Sequence, residues 1–393
     1  MSVQKIKEDV FSLRANDWNR TLFDELIFLP DGTSYNSYLI KGKEKVVLID
    51  TVDPRKTEEL LKDIESLKLQ RIDYIVSQHS EQDHSGSIPE VLKAYPMAKV
   101  VTNKKGKEFL TDLVKIPEDK FLTIEDLGTM DLGGKTLKFI FTPWVHWPET
   151  FSTYLLEDKI LFTCDFFGSH IATNDLFATD EGKVMEAAKR YYSEIMIPFR
   201  TSIRSNLQKI KDIDFDIIAP SHGCVYENKE MIINAYADWS SDDVKNVVVI
   251  PYLSMHGSIQ KFVDRFVRKL QEMGIDARPF DVVTADIGNI AMALIDAATI
   301  VVASPTMLAG VHPKIAYIAY LANVLRPKAK FASVIGSYDW GGKEVEVLAS
   351  LLGNLKVEMI PPVLIKGDGT AEELKGIDDL AEKISEKHKT LKL

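Results

Sequence analysis

The stretch His79-Ser80-Glu81-Gln82-Asp83-His84 puts two imidazoles and two carboxylates into six consecutive residues. Imidazole nitrogen and carboxylate oxygen are the donors that first-row divalent metals take. The β-branched, apolar run Ile72-Asp73-Tyr74-Ile75-Val76 precedes them and reads as a buried strand, so the motif is expected in a loop at a strand end. A loop can turn His79 and Glu81 one way and Asp83 and His84 another, whereas helical spacing would scatter them around a cylinder. That layout suits two metal ions. An isolated His-x-Glu would be a solvated loop, so the reading depends on further donors downstream.

Those donors are present. His146 follows the strand-like residues 137–141, Asp165 follows 160–164, and His222 follows 215–221. Each stands just past an apolar run, the place from which strand-end loops assemble a site at the edge of a sheet. Other candidates lie close by in sequence. Trp144 and Trp147 flank His146 and could wall the site against water, and Asp50, at the end of its own strand, could accept from a ligand imidazole. Cys164 adjoins Asp165, but the strand pleat is expected to point it away.

The elements that must position these residues alternate. Residues 35–40 and 46–50 around Gly42 read as a β-hairpin, and Asp53-Pro54 opens a helix running to about residue 67. A second helix is expected at 88–95. Strands interleaved with helices and hairpins indicate a layered α/β domain over residues 1–244. With 393 residues, two domains are expected, and a different pattern occupies 245–393. There, Val247-Val248-Val249-Ile250 runs into Ser254-Met255-His256-Gly257-Ser258 and then a helix-period stretch, 259–273. A strand, a hydroxyl-and-glycine loop and a helix N-terminus together suit a phosphate. Two more strands run into Ser304-Pro305-Thr306-Met307 and Gly336-Ser337-Tyr338-Asp339-Trp340-Gly341, with helices at 289–297, 314–325 and 371–387 and a last strand at 357–360. Alternating βα units imply a doubly wound parallel sheet with its ligand at the strand C-termini.

The formal net charge of −10 argues against a nucleic-acid surface. No apolar stretch approaches the ~18–20 residues of a membrane span, and the charged N-terminus lacks a signal region, so a cytoplasmic protein is expected. Two cysteines without a Cys-x-x-Cys encode neither a disulfide framework nor an iron–sulfur site.

His79-x-Glu81-x-Asp83-His84, His146, Asp165 and His222, in this order, resemble the metallo-β-lactamase fold in its flavodiiron version, and the second half resembles flavodoxin. Where the parent superfamily usually has histidine, this chain has Glu81. The resemblance implies an αββα sandwich followed by a flavodoxin-like doubly wound sheet. It also implies two iron ions, one on His79, Glu81 and His146, the other on Asp83, His84 and His222, bridged by Asp165 at roughly 3.5–4 Å. Four imidazoles and three carboxylates without thiolate suit non-haem iron better than zinc. His170 resembles a pocket histidine of the family, and Tyr191 or Tyr192 its pocket tyrosine. FMN would lie in the three loops of the second half, its ring beside Tyr338 and Trp340. Ile259 stands where the family often has a second hydroxyl.

The implied activity is reduction of dioxygen to water or of nitric oxide to nitrous oxide, with electrons relayed through FMN. Reducing dioxygen to water takes four electrons, two from a ferrous pair and two from reduced flavin, so both domains are needed. The family places the FMN of one subunit against the diiron site of its partner, which implies a head-to-tail homodimer. With no cysteine-rich extension, a separate donor such as rubredoxin is expected. The rivals are a dinuclear zinc hydrolase of the same superfamily and an electron carrier using FMN alone.

Overall fold

A computed structural model describes residues 3–340, 344–353 and 355–393, and the chain divides into two units, Met1–Ser240 and Ser241–Leu393. In the first unit a seven-stranded sheet takes the order Val3–Lys7, Val10–Asp17, Thr33–Lys41, Val46–Ile49, Tyr74–Val76, Lys99–Asn103, Phe121–Ile124. The expected hairpin is its centre, with Tyr38 opposite Ile49, and from Val46–Ile49 onward the strands run parallel. A second sheet comprises Thr129–Asp131, Thr136–Phe141, Phe151–Leu155, Ile160–Cys164 and Ile217–Pro220.

Strand alternation sorts the side chains by face. Tyr38, Ile49, Val76 and Val101 from the first sheet share one core with Phe139, Phe151, Phe162 and Ala219 from the second. On the other side of the first sheet, Leu39, Leu48 and Ile75 pack with Leu60 and Ile64 of helix Thr57–Ser66 and with Ile88 and Val91 of helix Ile88–Ala94. Helices Glu181–Tyr191 and Arg200–Ile210, before the last strand of the second sheet, and Lys229–Ser240, after it, bury Ala188, Ile203, Ile232 and Tyr236. The result is the αββα sandwich.

The second unit is a doubly wound parallel sheet. Its strands lie in the order Asp276–Asp281, Lys245–Tyr252, Ala297–Met307, Phe331–Tyr338, and the last pairs with both Glu358–Met359 and Val363–Lys366. Counted within the unit this is the flavodoxin-like 2-1-3-4-5 order. Phe262, Phe266 and Leu270 of helix Ser258–Glu272 meet Ile377, Leu380 and Ile384 of helix Ala371–Thr390 over one face of the sheet. Thr370 and Glu373 close the latter helix with a reciprocal capping box.

Three elements differ from expectation. Asp276-Ala-Arg-Pro-Phe-Asp forms an edge strand that periodicity does not reveal, because Ala277 is its only buried residue and its proline is tolerated only at an edge. Strand Ala297–Met307 continues through the expected loop and folds back on Gly310–Val311, with Leu308 and Ala309 left-handed at the turn. The final strand pairing shifts toward Val363–Lys366. Among the described residues no helix is long and apolar enough to cross a membrane.

His388, 1% exposed on the last helix, bonds Thr299 Oγ1 at 2.7 Å and Asn246 Oδ1 at 2.7 Å. Burial pushes its pKa down to about 4. A histidine held neutral in the fold costs stability as pH falls through its unfolded value near 6.5, and the cost levels off below the folded value. Acidification from pH 7 to pH 4 is therefore expected to destabilise the second unit by about 3 kcal/mol through this residue. Urea titrations at pH 7, 5.5 and 4 should show that loss, and His388→Gln should flatten the pH slope.

Candidate functional site

The motif after strand Tyr74–Val76 is only partly a loop. Gln82–Ser85 forms a single helical turn with Glu81 at its N-cap, so Asp83 and His84 project from helix and His79 and Glu81 from the segment before it. The expected separation in two directions is achieved by this change of conformation. The backbone beneath is pinned by Asp50, which accepts from Gln78 N–H at 2.8 Å and from Ser221 Oγ at 3.2 Å, thereby joining the His79 loop to the His222 loop. Asp50 was expected to orient an imidazole. It orients two ligand-bearing loops instead, and burial raises its pKa to about 6 despite His84 and these donors.

The imidazole-orienting carboxylate is Glu149. Its Oε1 accepts from His79 Nδ1–H at 2.8 Å and from Ser80 N–H at 3.0 Å. Sequence reading passed over it because it lies 70 residues from its partner and no spacing rule connects them. His222 Nδ1–H donates to the Ser34 carbonyl at 2.8 Å, which leaves Nε2 to face the site. The loop carrying His222 is gripped by Asn36, whose amide donates to the Pro220 and Gly223 carbonyls, and by buried Arg14, which donates to the Gly223 carbonyl and to Asn36 Oδ1. Gly223 has φ +80, and a Cβ there would lie 1.9 Å from Ser169 Oγ.

The seven motif side chains converge. The donor atoms of His79, Glu81, His146 and Asp165 lie within 4.8 Å of one another, as do those of Asp83, His84 and His222. His79 Nε2 and His146 Nε2 approach Glu81 Oε2 at 3.2 and 3.1 Å and Asp165 Oδ2 at 3.5 and 3.7 Å. His84 Nε2 and His222 Nε2 approach Asp165 Oδ1 at 3.0 and 3.3 Å, and His222 Nε2 lies 3.2 Å from Asp83 Oδ2. Asp165 thus stands between the two sets with one oxygen toward each. The buried atoms His84 Nε2, Asp83 Oδ1 and Asp165 Oδ1 have no properly aligned hydrogen-bond partner despite these short approaches. Buried polar atoms in that condition are costly unless something else satisfies them, and a cation at their common focus does so.

Electrostatics agree. Burial alone would lower the pKa of His222, but Asp165 and Asp83 raise it to about 10. Burial likewise opposes the charge on His79, and Glu149, Glu81 and Asp165 overcome it. The carboxylates make a strongly anionic centre, suited to a metal cation as much as to an imidazolium.

Cys164 does not point away. Its sulfur joins His84 and Asp165 in a third close group, because φ is +51° at Cys164 and the pairing register shifts between Phe162 and Cys164, which breaks the pleat. Burial, with Asp50 and Asp165 nearby, holds the thiol well above its ordinary pKa, so it stays protonated. Of the tryptophans, Trp147 packs edge-on against His79 with centroids 4.9 Å apart, whereas Trp144 is 48% exposed and stacks on Phe199. Tyr191 reaches the site, 4.8 Å from the His170 ring and 5.9 Å from that of His222, while Tyr192 turns to Tyr236 and Trp239.

A pocket opens beside the cluster. Glu81, Asp83, His170 and His222 line it together with Arg20, Phe23, Asp24, Thr33 and Tyr35, which no motif reveals. His170 shares a 2.9 Å hydrogen bond with Thr33 through Nδ1, and its Nε2 has no partner. Burial and neighbouring His222 push its pKa well down, so it is neutral.

In the second unit a cleft lies at the C-terminal edge of the sheet. Ser254, Met255, His256, Ser258, Pro305, Thr306, Ser337, Tyr338, Asp339 and Trp340 line it, with Ile259, Leu308, Ala309 and Gly367 in addition. Four expected residues do not. Ser304 is buried in its strand, Gly336 is paired between Ser304 and Leu364, Met307 pairs with Gly310, and Gly257 is half-buried beside the lining residues His256 and Ser258. Gly341 lies outside the described residues. Gly257, at φ +98, ends the loop before helix Ser258–Glu272, and the space where its Cβ would sit is open. Ser254 Oγ accepts from Gly257 N–H at 3.1 Å and Gln260 N–H at 3.3 Å, fixing the loop around the helix N-terminus.

Known proteins resemble this chain over nearly its whole length. A family model described as the ODP family beta lactamase matches residues 33–223. A nitric oxide reductase of Moorella thermoacetica is 31% identical over 97% of both chains, and a flavo-diiron protein of Clostridium acetobutylicum is 32% identical over 91% of this chain and 92% of its own. In structure, the rubredoxin oxygen:oxidoreductase of Desulfovibrio gigas superposes with a TM-score of 0.94 at 27% identity, covering 99% of both chains. With relatives above 30% identity spanning nearly its full length, the chain belongs to the flavodiiron protein family and is an oxidoreductase.

Proposed function

We propose that this chain reduces dioxygen to water, nitric oxide to nitrous oxide, or both, at two non-haem irons, drawing electrons through FMN from an external donor such as rubredoxin. The observation that carries the reading is Asp165, which presents one carboxylate oxygen to each of two converging donor sets. His79, Glu81 and His146 would hold one iron and Asp83, His84 and His222 the other, with Asp165 shared. The nitrogen-and-oxygen donor set favours iron over a thiolate-bound metal.

When bound, the iron pair and the flavin supply the redox chemistry. The chain's own residues do the rest. Glu149 and the Ser34 carbonyl fix the ring orientations of His79 and His222, so that each presents Nε2 inward. Trp147 covers His79 against water. His170, neutral and anchored by Thr33, lines the pocket where a diatomic guest or a water would sit, and its Nε2 has no hydrogen-bond partner. The cleft of the second unit would hold FMN, its phosphate at the Ser254–Ser258 loop and its ring beside Tyr338 and Trp340.

Electron donation by rubredoxin draws support from the name of the D. gigas enzyme, and activity on nitric oxide from that of the M. thermoacetica enzyme. A homodimer accords with the large apolar side chains left exposed at the cleft, Leu308 at 86% and Trp340 at 71%. Light scattering should return twice the chain mass. The function is tested by anaerobic stopped-flow with chemically reduced rubredoxin, offering each gas in turn. Consumption of at least one of the two gases, abolished by removal of either cofactor, is expected. A fully loaded protein that consumes neither would refute the reading.

A further inference from the structure

The loop after strand Val363–Lys366 carries a carboxylate to the end of the cleft where helix Ser258–Glu272 begins. Asp368 Oδ1 accepts from Ser258 Oγ at 2.6 Å, and its Oδ2 accepts from Lys261 Nζ at 2.6 Å. The loop is anchored on both sides. Gly367 N–H donates to the Tyr338 carbonyl at 2.8 Å, and Ser337 Oγ donates to the Gly367 carbonyl at 3.0 Å. Gly369 takes φ +75, and a Cβ there would meet Ile365 Cγ2 at 2.6 Å. Asp368 is therefore held in position by the sheet end.

Its two partners are the groups that a phosphate at this helix N-terminus would recruit. Ser258 is the hydroxyl of the first helical residue, and Lys261 is an ammonium one turn further on. Lys261 and Ser258 together hold the Asp368 carboxyl below the usual range, so it is an anion at neutral pH. A phosphate monoester dianion entering the same corner meets a like charge that already occupies its donors.

Building on the FMN reading above, we propose that Asp368 competes with the flavin phosphate for Ser258 and Lys261, and so sets how strongly the second unit prefers FMN over an unphosphorylated flavin. When the phosphate enters, the carboxylate gives up both partners and turns outward from its exposed position. Discrimination between FMN and riboflavin is then smaller than the helix N-terminus, the hydroxyl and the ammonium would give without it.

The test is a set of equilibrium titrations of the full chain, freed of flavin, with FMN and with riboflavin, followed by quenching of flavin fluorescence. Asp368→Ala should tighten FMN about three- to fivefold and leave riboflavin within about twofold, with the FMN gain shrinking at high salt. Lys261→Gln should weaken FMN at least about threefold and leave riboflavin unchanged. If Asp368→Ala leaves FMN unchanged, or weakens both flavins alike, Asp368 is a loop anchor and the competition is wrong while the FMN reading stands. A wild-type chain that binds neither flavin overturns both.

Discussion

Asp165→Ala is expected to strip both irons from the chain and to lower turnover of nitric oxide and dioxygen on the order of 10³-fold or more, beyond the 10- to 100-fold typical of losing an outer-shell partner. The reason is geometric. Asp165 Oδ2 lies 3.5 Å from His79 Nε2 and 3.7 Å from His146 Nε2, and its Oδ1 lies 3.0 Å from His84 Nε2 and 3.3 Å from His222 Nε2. No other side chain in the cluster faces both sets. Truncation removes a donor from each and leaves imidazoles crowded without the anion that balances them. Because the flavin cleft is built wholly from residues of the second unit, FMN content should be unchanged. Iron per chain by elemental analysis, with the flavin spectrum as internal control, checks this. A variant that keeps two irons would show that Asp165 does not bridge.

The second large effect is expected at a residue that touches no metal in this account. Glu149 is 1% exposed and bonds both the His79 ring and the backbone of the residue that follows it. Glu149→Ala frees the ring to rotate and leaves Ser80 N–H unpaired in a buried place. Iron affinity or turnover should fall about 10- to 100-fold. Glu149→Gln retains an acceptor oxygen but loses the charge, and should fall between the alanine variant and the wild type. Competition of each variant for ferrous ion against a chromophoric chelator measures the series. Equal affinity across all three would remove Glu149 from the centre.

These two residues mark how far the sequence reaches. Asp165, His146 and His222 were legible because each follows an apolar strand, and strand ends are where a sheet collects side chains from distant parts of a chain. Glu149 was not, and Asp50 was legible at its strand end but not in its partners, because these roles rest on pairings 70 and 28 residues apart that only the folded sheets create. Cys164 was misjudged for a local reason, since the pleat rule presumes regular backbone and its φ is +51°. In the second unit the strand–loop–helix rhythm exposed the three loops and the doubly wound parallel sheet, while the order of its strands is set by pairings the rhythm leaves open. The edge strand Asp276–Asp281 and the Leu308–Ala309 turn escaped, one for want of a buried face and the other for want of a glycine at its left-handed positions.

Whether one chain holds both a diiron pair and a flavin is read from the metal and flavin content of the purified protein, by elemental analysis and visible spectrum. About two irons and one FMN per chain are expected, from the two donor sets and the cleft of the second unit. Two zincs and no flavin would contradict that expectation and make the chain a hydrolase built on the same sandwich.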